Sequence, residues 1–250
     1  VTLRNARILV PSLAGALVLA ASLGLSQPHA PAARPAARPA AATPPAAAPA
    51  AATPPAAALT GVQRFEMRPS GISRIGFTSD APLETIDGVS TATTGNFTVD
   101  VGNPSRNLTG TVQVAVSTLR TGSDMRDEHL RSANWLDAEH NPNIALELRG
   151  TTINTALTAN TPATGRLRAR LTMHGVTRDV DVPVTVRLIP LAAEHQGMQA
   201  FGINADMLRV QSEFHVNLTD YGVSIMAPLR LKVSNDILIR VNATAFRQAP

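Results

Sequence analysis

Between residues 61 and 246 apolar and polar side chains alternate in one short run after another. That period of two is the signature of strands that bury one face. Phe97 and Val99 mark such a run in 93–101, Val112, Val114 and Val116 another in 108–119, and Ile144, Leu146 and Leu148 a third in 143–149. In 166–173, Leu167, Ala169, Leu171 and Met173 share a face opposite Arg166, Arg168, Arg170 and Thr172. His174-Gly175 predicts a turn, after which Val180, Val182, Val184, Val186 and Leu188 line one face of the next strand. The other face carries Asp179, Asp181, Thr185 and Arg187, so opposite charges can meet across the two strands. Phe214, Val216 and Leu218 point inward in 210–218, leaving His215 outward. After a turn at Asp220-Tyr221-Gly222, Ile237, Ile239, Val241, Ala243 and Ala245 line the last strand, 236–246.

Weaker signals fill the gaps. Phe65 and Met67, followed by Ile72, Ile75 and Phe77, predict a first hairpin around Pro69-Ser70-Gly71, with Gly76 at a bulge or sharp bend. Residues 80–88 read as a short strand or edge-forming loop, 102–105 as a turn, 151–161 as a weak strand and turn, 191–198 as a loop and 201–203 as a short strand start. Pro183 calls for an edge, a bulge or an unpaired N–H. The sum is roughly eight to ten strands with one short helix and almost no crossover helices. This excludes a doubly wound α/β fold and predicts an all-β barrel or sandwich. A barrel of about eight strands is wide enough to hold one ligand, but alternation alone does not separate an open cavity from a filled core.

One segment breaks the alternation. Residues 121–150 are dense in charge and contain His129, His140 and the only tryptophan, Trp135. Asp124 is placed to cap a short helix, with Asp127 and Glu128 in its first turn. Met125, Leu130 and Trp135 are then expected to point inward, and Asn141-Pro142 ends the segment. Arg126, Asp127, His129 and Arg131 read either as a structural polar lock or as groups that touch a ligand.

Composition divides the chain. Residues 1–58 hold 10 of the 19 prolines and no aromatic residue. Residues 1–30 have the order of a secretory signal: a basic start at Arg4 and Arg7, then an apolar run from Ile8 to Leu25 whose end carries small residues suited to cleavage, Ala20, Ala21, Ser22 and Gly24. The run is also at the short edge of a membrane span, so an uncleaved N-terminal anchor stands beside the signal peptide. Residues 31–58 are a Pro/Ala-rich tract in which AAATPPAAA occurs twice, and they read as a disordered, extended spacer. Residues 59–250 form the third part and are long enough for one core. Four of the 22 basic residues lie in the first 58, which leaves 18 basic against 18 acidic. A neutral domain does not offer a general nucleic-acid surface.

The chain has no cysteine, so disulfides, thiol catalysis and thiolate metal sites are excluded. No Gly-rich phosphate loop or Gly-x-Ser-x-Gly elbow is present, and the histidines show no metal-ligand spacing. No cofactor, metal or catalytic residue is expected.

Three blocks, in order, carry a resemblance. The first is Arg126-Asp127-x-His129-Leu130-Arg131-Ser132 with Trp135-Leu136-Asp137 and Pro142. The second runs from Gly165-x-Leu167 through Met173-His174-Gly175-Val176-Thr177 to Val182-Pro183-Val184. The third is Phe214-x-Val216-x-Leu218-x-Asp220-Tyr221-Gly222-Val223. Together they resemble the YceI-like family over most of residues 61–246. The resemblance implies a periplasmic, lipocalin-like antiparallel barrel with no established catalysis; the N-terminal run leaves a secreted protein, or one anchored to the inner membrane through Ile8 to Leu25, as alternatives. It implies an apolar cavity that binds, and transports or stores, an isoprenoid or other long-chain amphiphile. The tail would lie against Val112, Val114, Trp135, Leu171, Val182, Val184, Phe214 and Ile239. Arg126, Asp127, His129 and Arg131 would stand at the mouth or act as the lock. A ligand-free structural module of the envelope and a small-molecule hydrolase or isomerase are the other readings, and a homodimer is left open.

Deleting residues 1–58 is expected to leave a folded, strand-rich domain. Circular dichroism and a cooperative melt of the remaining chain check this, and a disordered product would displace the boundary.

Overall fold

The structure is a computed structural model and describes residues 59–69, 71–191, 197–200 and 202–249. The expected signal or anchor, the spacer, most of the 191–198 loop and the start of the 201–203 strand lie outside the described residues.

Alternation in the sequence becomes ten antiparallel strands: β1 (Val62–Met67), β2 (Arg74–Asp80), β3 (Thr85–Ser90), β4 (Thr93–Asp100), β5 (Leu108–Ala115), β6 (Asn143–Thr151), β7 (Pro162–Met173), β8 (Val176–Ile189), β9 (Met207–Asn217) and β10 (Asp236–Arg247). Eight of them close a ring in the order β1-β4-β5-β6-β7-β8-β9-β10, with β10 pairing back onto β1. The hairpin β2–β3 hangs from β10, and its outer strand is pinned by a two-way backbone bridge between Val89 and Arg120, at 2.8 and 2.9 Å. One helix, α1 (Asp124–Arg131), follows β5. On the outer face of β7 and β8 the expected charge pairs are present: Arg166 with Asp181 at 2.9 Å and Arg170 with Asp179 at 3.9 Å. They are exposed, so each contributes about 0–1 kcal/mol.

The predicted hairpin between Phe65 and Phe77 does not form. β1 and β2 pair not with each other but with the same edge of β10: β2 along Ile237 to Asn242, β1 at Phe246 and Arg247. They act as one long strand interrupted at 68–73. At the interruption the buried Ser73 substitutes for the ladder, its Oγ accepting the Thr244 N–H at 3.0 Å. Gly76 is not a bulge, because its pairing to Arg240 and Val89 runs unbroken. The register shift falls instead between Leu148 and Gly150. Strands β4 and β5 approach closely at Gly95 and Gly110, where a Cβ would collide with the facing backbone, and both glycines have φ near +150° that disfavours any other residue (149° and 147°).

Residues 151–161 are not a strand beyond the end of β6; they make one isolated bridge, Ala159 to Leu188. They pass under the barrel and bury Ile153 and Leu157, with the Leu157 N–H donating to Val101 O at 2.8 Å. The proline in β8 does end a ladder. β8 and β9 pair only from Thr185–Gln211 to Ile189–Met207, and the carbonyl of Pro183 accepts the Ser212 hydroxyl at 2.6 Å instead.

Helix α1 departs from expectation in two ways. Its N-cap is Ser123 rather than Asp124, without a side-chain capping bond. Met125 is not buried but stands at the rim, 69% exposed while bordering the cavity. Leu130 and Trp135 do pack partly buried beside the buried Leu136. The terminus is held by Asp127, whose Oδ1 accepts both the N–H (2.8 Å) and the hydroxyl (2.7 Å) of Thr121. Burial alone would raise the pKa of Asp127. The two Thr121 bonds, with the charges of Arg120 and Arg131, outweigh burial and hold it below the usual value.

Replacing Asp127 with Ala strands the Thr121 N–H, and is expected to lower stability by about 1–3 kcal/mol at neutral pH. A depressed carboxylate stabilises above its unfolded pKa and loses that effect as pH falls through the folded value. The gap between wild type and Asp127→Ala in urea denaturation should therefore narrow in acid. Equal midpoints at pH 7 would show that the carboxylate is merely solvated.

Candidate functional site

The inward faces of the ring are built largely from Val, Leu and Ile, and they enclose a cavity of about 790 Å³. This is within the range of small-molecule sites, roughly 300–1,000 Å³. Val112 and Val114 reach it from β5, Leu171 from β7, Val182 and Val184 from β8, Phe214 from β9 and Ile239 from β10. Trp135 reaches it from the connection between α1 and β6. All eight lie on its wall. Strand parity also places there Phe97 and Val99, Ile75 and Phe77, and Ile144, Leu146 and Leu148, which the sequence marks as inward without singling out as site residues.

One end of the cavity is floored by Ile153, Leu157 and Pro104, all buried. At the other end stand Glu84 from the β2–β3 turn, Met125, Arg126 and His129 from α1, and Met226, Leu229, Lys232 and Val233 from the β9–β10 connection. That connection and the floor have no periodic pattern, so alternation gives no hint of either. The mouth is partly roofed by contacts among these segments. Arg126 Nη1 meets Glu84 Oε1 at 2.6 Å, and the Leu83 N–H donates to Leu231 O at 2.9 Å.

The four polar residues of α1 do not form one lock. Arg126 and His129 face the mouth. Asp127 turns away into the Thr121 loop, and Arg131 does not line the cavity but adds positive charge beside Asp127. Asp127 thus serves backbone geometry and has no hydrogen bond to His129. The Asp–His pair that does form in this segment is Asp137 with His140, at 3.0 Å. Their hydrogen bond lowers the Asp137 pKa and raises that of His140. Asp137 adopts a positive φ of 48° there and also accepts from Asn141 Nδ2 at 3.2 Å, so the pair shapes the chain leading into β6 outside the cavity. His174 bonds Tyr221 O at 3.0 Å, and His215 bonds Asp236 at 2.9 Å on the outer surface. Among the described residues no group of three or more His, Asp or Glu side chains could hold a metal ion.

Few polar groups interrupt the wall below the mouth. Thr151 Oγ1 donates to Arg166 O at 2.8 Å, and Ser212 to Pro183 O. Thr93, 0% exposed, has no partner for its hydroxyl, and the Nε of Arg126 is likewise buried without one. These are the only two such side-chain atoms among the described residues, and both residues line the cavity.

No curated protein matches the chain. Solved structures do, at the level of the fold. The BcnA protein of Burkholderia cenocepacia aligns at 13% identity and a TM-score of 0.53, over 69% of this chain and 95% of its own. A polyisoprenoid binding domain from Saccharophagus degradans, implicated in plant cell wall breakdown, aligns at 12% identity and 0.56, over 75% and 99%. The Campylobacter jejuni YceI protein aligns at 13% and 0.51, over 66% and 86%. The model of the YceI-like domain matches residues 69–245, nearly the whole ring and its hairpin. By that match, with its closed barrel and apolar interior, the chain belongs to the YceI-like domain family, a family of barrels that bind hydrophobic ligands.

Proposed function

We propose that this protein binds a single-chain amphiphile, an isoprenoid or a fatty chain, and carries or stores it in the cell envelope as an exported protein. The observation that carries this reading is the cavity's polarity: apolar walls and floor, with Arg126, His129 and Lys232 gathered at the mouth. A tail would lie along Val112, Val114, Leu171, Val182, Val184, Phe214 and Ile239, under Trp135. The head would stay at the mouth. Arg126 suits an oxygen-bearing head, since its Nε is a donor with no partner of its own. The Thr93 hydroxyl supports a ligand that carries a further oxygen against the wall, because a buried hydroxyl left unpaired costs about 1–3 kcal/mol. The binding domain from Saccharophagus degradans lends the isoprenoid class its support.

Each buried methylene should contribute roughly 0.8 kcal/mol before ordering costs. Affinity is therefore expected to rise with chain length until the cavity fills and then level off. Val184→Trp should block the tail while leaving the barrel folded. Titration of ligands of graded length against both proteins, and mass spectrometry of an organic extract of the purified protein, provide the check. Affinity independent of chain length, with no copurifying lipid, would replace this reading with a ligand-free module. Thr93→Val should leave binding of pure hydrocarbon chains unchanged and weaken that of oxygenated ones about tenfold, or roughly 1.4 kcal/mol. Equal losses for both ligand types would show that the hydroxyl has no part in recognition.

A further inference from the structure

Seven large apolar side chains are exposed among the described residues, and four of them belong to the segments around the cavity mouth. They are Leu83 on the β2–β3 turn (68% exposed), Met125 on α1 (69%), and Met226 and Leu231 on the β9–β10 connection (65% and 54%). The bond from Leu83 N–H to Leu231 O holds two of these tips side by side. Met125 and Met226 line the cavity as well as facing solvent, so the patch is continuous with the interior. Clustered exposure of this kind marks an interaction surface.

The charges around the patch are unequal. On α1, Asp124 and Glu128 are exposed, Arg120 and Arg131 lie beside the buried Asp127, and Arg126 is paired with Glu84. The β9–β10 connection, 218–235, holds Arg230 and Lys232 against one acidic residue, Asp220, at its start, and neither cation is in an ion pair among the described residues. The rim therefore combines Met and Leu side chains with two unpaired cations, Arg230 and Lys232, beside Met226 and Leu231. This is the composition that binds an anionic lipid interface, apolar groups entering the acyl boundary and cations meeting the headgroups.

We propose that the mouth of the barrel docks on a bilayer surface containing anionic lipid, so that a tail passes between membrane and cavity without crossing water. The inference rests on the amphiphile-binding reading of the cavity. Physically, moving a free chain through water would forfeit roughly 0.8 kcal/mol per methylene, and a docked mouth avoids that barrier. Arg230 and Lys232 set the preference for anionic lipid, and Leu83, Met125, Met226 and Leu231 supply the insertion.

The absence of native cysteine permits a clean test on the full chain. Leu231→Cys carries an environment-sensitive fluorophore at the rim, and Arg106→Cys carries one at the opposite end, in the turn between β4 and β5. Vesicles of phosphatidylcholine with phosphatidylglycerol should shift the rim probe to the blue and leave the far probe unchanged. Vesicles of phosphatidylcholine alone should act much more weakly. Arg230→Glu with Lys232→Glu should weaken the response to anionic vesicles at least about thirtyfold, two cations each contributing about 1 kcal/mol. A silent rim probe, an equal response without anionic lipid, or an equal response at both ends overturns the proposal. A rim that captures a protein from solution but ignores vesicles overturns it too. Val184→Trp separates the two readings: the rim probe should still respond when the cavity is blocked. If wild type still shows chain-length-dependent binding of soluble ligands while the rim is silent, docking alone falls.

Discussion

The structure depends above all on how the sheet is closed. A flat sheet of ten strands would leave two edges of unpaired N–H and C=O groups, a costly and aggregation-prone state. Here one edge of β10 is divided between two partners, β2 along its first half and β1 at its end. The closed ring and the appended hairpin both follow from that division. It works because the one gap it leaves in the ladder is occupied by Ser73, which meets the Thr244 N–H. The close approaches at Gly95 and Gly110 let β4 and β5 fold tightly against each other on the way round.

Closure then determines the interior. The inward positions of an eight-membered ring must fill its width or leave it empty. This chain is only 3% aromatic, and most inward positions are valine, leucine, isoleucine or alanine. Phe65 and Phe97 stack with ring centroids 5.7 Å apart and fill the wall beside β1, but few other bulky groups are available. The unfilled remainder is the cavity. Its floor is sealed by apolar side chains from an irregular connection. Its mouth is roofed by segments that meet through a small number of bonds, Arg126 with Glu84 and Leu83 with Leu231.

Most of the strands and the inward residues were legible in the sequence, because a half-buried strand must alternate and the alternation is local. The same rule put Val112, Val114, Leu171, Val182, Val184, Phe214 and Ile239 on one surface. The cysteine count excluded thiol chemistry, the neutral domain charge argued against a nucleic-acid surface, and the three ordered motifs carried the family resemblance. Pro183 marked the end of a ladder, because a missing N–H acts wherever the residue is placed.

Partnership was decided by tertiary structure alone. Phe65 through Phe77 looks like a hairpin, because adjacent strands with a Pro-Ser-Gly break usually pair; only the position of β10, more than 150 residues away, turns them into successive stretches against one edge. The polar residues of α1 show the same limit. Their spacing suggested one network, yet Asp127 found the Thr121 backbone, Arg126 found Glu84 across the mouth, and Asp137 rather than Asp127 found a histidine. Ile153, Leu157, Met226 and Leu229 carry no period, so nothing in their neighbourhood announces that they floor or rim a cavity. Alternation is set by each residue's own neighbours along the chain. Closure, cavity and rim are set by which distant segments meet, and that exists only once the ring is formed.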